Sequence, residues 1–107
     1  MKDFMQMFGQ VKEFQAKIED IQQKVAQLQA TGESGAGLVQ VTVSGNKKIL
    51  RMQIDPSIIR VDEQQTLQDL IVAAVNVAMQ RIDAKIKEMI QSHTAGILGN
   101  LPVDLLL

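Results

Sequence analysis

Apolar residues along the first quarter of the chain recur at intervals of three and four. Counting in sevens from Phe4 gives Phe4, Val11, Ile18 and Val25, and three residues further on Met7, Phe14, Ile21 and Leu28. Every position of that seam is apolar, so the spacing predicts one helix from about Asp3 to Gln29 with a heptad stripe. Glu13 with Lys17 and Asp20 with Lys24 lie one turn apart in the favourable order. A helix of this length spans ~40 Å at 1.5 Å per residue, about twice the length of an ordinary strand. Part of the seam must therefore meet another helix or another subunit. Thr31-Gly32 reads as the stop, with Gly32 suited to a left-handed cap. Glu33 to Gly37 reads as a flexible glycine-rich connection.

The period then changes to two. Val39, Val41 and Val43 alternate with Gln40, Thr42 and Ser44, and Gly45-Asn46 supplies a two-residue hairpin turn. With that turn, Val41 faces Leu50, Val39 faces Met52 and Gln40 faces Arg51, which places the apolar residues on one side. Asp55-Pro56-Ser57 ends the second strand, because proline cannot donate to a ladder. Ile58 to Val61 reads as a short third strand or a connector. Asp62 and Gln65 resemble a capping box at the start of a second long helix. Its broad face carries Leu67, Leu70, Ile71, Ala74, Val75, Ala78, Ile82, Ile86, Met89 and Ile90, and Gly96 is its stop.

The pattern gives an α+β fold: a long N-terminal helix, an antiparallel hairpin or three-stranded sheet, and a long C-terminal helix. Residues 1–100 form one domain and 101–107 a flexible tail. The hairpin has more apolar surface than one chain can cover, and 107 residues bury a modest fraction of their surface. A homodimer is the expected remedy, with Val39, Val41, Leu50, Met52, Ile54, Ile71 and Val75 at its interface.

Composition narrows the chemistry. There is no cysteine, hence no disulfide and no thiolate ligand. No apolar run reaches the ~18 residues of a membrane span. The N-terminus lacks the plan of a signal peptide, and a cytoplasmic location is expected. His93, the single histidine, suits a helix C-terminus better than a metal site, which needs several converging ligands. Asp55 and Asp62 read as a turn residue and a cap, not an acid–base pair. Gly35-Ala36-Gly37 precedes a strand and lacks the Gly-Lys-Ser/Thr ending of a phosphate loop. No enzyme, cofactor, metal or small-molecule substrate is expected.

The basic residues form three groups: Lys12, Lys17 and Lys24 on the first helix, Lys47, Lys48 and Arg51 at the hairpin, and Arg81, Lys85 and Lys87 on the second helix. With a net charge of −1, nothing global draws the chain to nucleic acid. Taken alone, these groups are solvated charges paired with Glu13, Asp20, Asp83 and Glu88.

The order of short motifs changes that weighting. The chain resembles the YbaB/EbfC family of nucleoid-associated proteins nearly throughout. The resemblance rests on Met7-Phe8-Gly9, on Ser34-Gly35-Ala36-Gly37-Leu38-Val39-Gln40-Val41, on Gly45-Asn46-Lys47 and on Ile54-Asp55-Pro56-Ser57. It continues through Asp69-Leu70-Ile71-Val72-Ala73-Ala74-Val75-Asn76 and Thr94-Ala95-Gly96. The apolar ending Val103 to Leu107 departs from the family pattern. The resemblance implies a homodimer that binds double-stranded DNA with little sequence preference in the cytoplasmic nucleoid. It makes Lys12, Lys17, Lys24, Arg81, Lys85 and Lys87 the first candidates for phosphate contact, and Lys47, Lys48 and Arg51 the second. The three phenylalanines, Phe4, Phe8 and Phe14, all lie in the first helix, so the hairpin has no platform for stacking bases. Duplex DNA held through its phosphates is the better target. The alternative is a protein-interaction adaptor that docks partner helices on the heptad seam.

Overall fold

A computed structural model describes residues 2–94, with side chains from 5 to 93. The Gly96 stop and the tail lie outside the described residues, as does the side chain of Phe4.

Helix α1 (Lys2–Gln27) follows the heptad pattern, with Asp20 and Lys24 paired at 3.0 Å. It runs almost directly into strand β1 (Gln29–Ser34), then β2 (Val39–Ser44) and β3 (Ile49–Ile54). The sheet is antiparallel, in the order β1-β2-β3. Two 3₁₀ turns, Pro56–Ile58 and Val61–Glu63, lead to helix α2 (Gln64–Thr94). The expected α+β architecture is present. The third strand, however, precedes the hairpin, and Ile58 to Val61 is connector.

Strand β1 replaces what the seam predicts as the end of α1 and a flexible link. Its inward positions are Ala30 and Gly32, too small to signal a strand. They are small because α2 lies directly on them. A Cβ at Gly32 would stand 2.2 Å from the Ala78 nitrogen and 2.5 Å from the Ala74 oxygen. Gly32 is thus a close-approach glycine and not a helix cap. The link to β2 is a defined turn, with bonds from the Gly37 and Leu38 N–H groups to the Ser34 and Gly35 carbonyls. Gly35, Ala36 and Gly37 all have positive φ there, a run that glycine makes accessible.

The hairpin faces are as expected, but the register is shifted by two. Val41 pairs with Met52, Val39 with Ile54, Gln40 with Gln53 and Thr42 with Arg51. The cause is a longer turn. The Lys47 N–H bonds the Ser44 carbonyl and the Ser44 N–H bonds the Lys48 carbonyl, with Lys47 at φ 66°. That is a three-residue loop closed by a left-handed residue. A bulge at Leu50 follows, between the Thr42–Arg51 and Val43–Ile49 pairs. An even shift keeps each side chain on its face.

One side of the sheet carries Val39, Val41 and Val43, all fully buried beneath Ala74, Ala78, Ile82 and Ile86 of α2. Ile21, Val25 and Leu28 extend this core onto the base of α1. Further out, Met5, Met7, Phe8, Val11, Phe14 and Ile18 are exposed, so most of α1 projects as an arm. Asp62 does not cap α2 as expected; its carboxylate accepts both Nε and Nη2 of Arg60 at 3.1 Å.

Candidate nucleic-acid interface

Side chains opposite α2 are polar by alternation: Gln29, Thr31 and Glu33 on β1, Gln40, Thr42 and Ser44 on β2, Arg51 and Gln53 on β3. Thr31 and Thr42 share a hydroxyl hydrogen bond of 2.9 Å across the strands. This face has one cation and one carboxylate, so it is hydrophilic without being basic.

The basic residues are exposed, and the fold separates them into distinct places. Arg81 and Lys85 lie one turn apart on α2 and reach over the outer edge of β1. Arg81 Nη1 donates to the Thr31 carbonyl at 2.8 Å, and Lys85 Nζ to the Gln29 carbonyl at 2.6 Å. Lys47, at the hairpin turn, pairs with Asp83 of α2. Lys48 is exposed beside it, and Arg51 lies on the polar sheet face. On the arm, Lys12 stands 5.9 Å above the Phe8 ring. Lys17 is exposed and shares a heptad line with Lys24, whose ammonium is paired to Asp20. Lys87 is exposed near the end of α2. The structure therefore brings Arg81 to Lys85, and Lys47 to Lys48. It spaces the arm lysines along a helix and gathers no single nine-residue patch.

The expected interface residues also divide. Val39 and Val41 have no exposed surface, so they cannot meet a second chain. Their cover is α2, whose Ala-rich face fits closer to the sheet than the hairpin pattern alone reveals. Ile54, Ile71 and Val75 are half-buried, while Met52 and Leu50 are 37% and 46% exposed. Ile49, 49% exposed, belongs with them. The Ile49-Leu50 doublet, which breaks the alternation as a bulge does, was the available signal.

Two chemical points bear on other activities. His93 Nδ1 lies 2.9 Å from the Met89 carbonyl, so the ring caps the last turn of α2. Among the described residues, no three His, Cys, Asp or Glu side chains converge on a metal position. No described helix is long and apolar enough to cross a membrane.

Known proteins with the same pattern fit this geometry. The YbaB/EbfC DNA-binding family matches residues 1–97. A nucleoid-associated protein of Brucella ovis is 44% identical over 97 residues, which cover 91% of each chain. One from Bartonella tribocorum is 42% identical over the same length and coverage. The crystal structure of an uncharacterized Helicobacter pylori protein superposes with a TM-score of 0.69. It covers 83% of this chain and 94% of that one at 21% identity, a likeness of fold.

Proposed function

Because the chain belongs to the YbaB/EbfC DNA-binding family, we propose that it acts as a homodimer on duplex DNA in the cytoplasmic nucleoid, with little sequence preference. It is a binding protein and not an enzyme. The observation that carries the reading is the match over residues 1–97 to nucleoid-associated relatives. The geometry supports it in three ways. Exposed cations stand at several places on the surface, suited to phosphates spread along a duplex. No exposed aromatic ring lies on the sheet to stack unpaired bases. The apolar surface of β3 is what a second subunit would cover. Contacts to phosphate alone position a protein without reading sequence, which fits a factor that organises DNA or modulates expression broadly.

A gel-shift titration with duplex DNA at several salt concentrations tests the proposal. Affinity should fall with a slope of about −0.9 per phosphate neutralised. The exposed seam from Met5 to Ile18 also favours a second reading, an adaptor that docks partner helices. An adaptor gives no shift at any salt concentration, and that result would overturn the DNA-binding reading.

A further inference from the structure

The two edges of the sheet are not equivalent. At β1, the Leu28 carbonyl accepts from the Gly45 N–H, so even-numbered β1 residues bond to β2. Odd-numbered β1 residues then point their backbone groups outward. Two of those outward carbonyls, on Gln29 and Thr31, are already taken by Lys85 and Arg81. An added strand would have to displace both cations. Edges covered in this way do not recruit strands.

At β3 the opposite holds. The Ser44 N–H bonds the Lys48 carbonyl, and the Asp55 N–H bonds the Leu38 carbonyl. By the same alternation Arg51 and Gln53 bond to β2, while Met52 and Ile54 direct their N–H and C=O groups outward. β3 is an edge strand, and its outward groups have no partner strand. The side chains of Met52 and Ile54 stand on the α2 side, opposite Val41 and Val39, yet Met52 remains 37% exposed. An open ladder and an uncovered apolar strip thus coincide on one strand.

We infer that a second copy of this chain adds its β3 antiparallel to β3, with Met52 paired to itself on the two-fold axis, making one six-stranded sheet. The inference rests on the homodimer reading and specifies its joint. Three symmetric registers place the outward groups correctly or nearly so. Centring on Arg51 sets two guanidinium groups directly opposite each other, which is destabilising. Centring on Gln53 leaves Leu50 opposite Pro56, which has no N–H to give. Centring on Met52 pairs Leu50 with Ile54 on the apolar side and Arg51 with Gln53 on the polar side. Both faces are then matched, and the blocked β1 strands become the two ends of a closed assembly.

The absence of native cysteine makes the register directly readable. Single variants Arg51→Cys, Met52→Cys and Gln53→Cys are purified reduced, checked for dimer mass by light scattering, then oxidised. Met52→Cys places its own pair about 5.5 Å apart between Cα atoms, within the ~4.4–6.8 Å that a disulfide spans. It should cross-link rapidly, and the other two at least tenfold more slowly. A faster Arg51→Cys or Gln53→Cys overturns the register. A dimer that cross-links at none of the three overturns the β3 joint while leaving the homodimer intact. A monomer mass overturns the homodimer reading itself. Hydrogen exchange on the wild type needs no variant: the Met52 and Ile54 amides should be protected, and fast exchange at both overturns the joint.

Discussion

Gly32 and Ala78 meet backbone to backbone, close enough that a Cβ on the glycine would fall 2.2 Å from the Ala78 nitrogen. The contact seats α2 on β1. Gly32→Ala should therefore destabilise the fold by about 3 kcal/mol or more, at the upper end of overpacking effects. The obstacle is a backbone atom, so trimming the neighbour in Gly32→Ala/Ala78→Gly should not restore stability. Denaturant midpoints of the two variants measure both effects.

Val41 and Met52 are cross-strand partners with opposite exposure, and their substitutions should separate folding from assembly. Val41→Asp buries an unpaired carboxylate and should cost several kcal/mol, unfolding the chain. Met52→Asp puts the same group at an exposed edge. It should leave the circular-dichroism spectrum intact and lower the scattering mass toward a monomer.

Arg81 and Lys85 serve the β1 edge, yet both remain exposed and keep further N–H donors for phosphate. Arg81→Gln/Lys85→Gln should weaken DNA binding on every sequence tried and reduce the salt slope by about one per lost contact. Lys47→Gln/Lys48→Gln should have the smaller effect, since Lys47 is paired to Asp83. If the hairpin pair dominates in gel shifts, the contact surface lies at the β2–β3 turn.

Asp55 gives a pH signature. A side-chain hydrogen bond from Ser57 and then the Ser57 backbone N–H, 2.8 Å away, hold its carboxyl below the usual value. The folded chain therefore holds this proton less tightly than the unfolded one. The stabilisation is fully present above the ordinary carboxylate pKa of about 3.9 and is lost as pH falls through the lower folded value. Ser57→Ala should raise the Asp55 pKa toward the ordinary value in an NMR titration, and Asp55→Asn should remove its share of the acid dependence.

The sequence made some of this legible and hid the rest for physical reasons. The valine alternation placed Val39, Val41 and Val43 on one face because side-chain parity survives an even register shift. The turn itself misled, since Gly45-Asn46 suits a two-residue loop and nothing marks Lys47 as the left-handed residue that extends it. Strand β1 was invisible to a hydrophobic reading. Its core positions, Ala30 and Gly32, are chosen for close approach and contribute little apolar signal, although small residues recurring every second position were a clue. The basic residues could be named but not grouped. Which cation reaches which carbonyl, as Arg81 does across fifty positions to Thr31, depends on tertiary placement.

The projecting arm of α1 also governs how the molecule moves through solvent. Its extents of 74 × 22 × 16 Å and radius of gyration of 20.0 Å contrast with the ~13 Å of a compact domain of this size. So elongated a particle meets more friction per unit mass than a sphere does. It will elute early from a sieving column and sediment slowly, and a single chain calibrated against spherical standards will imitate a larger one.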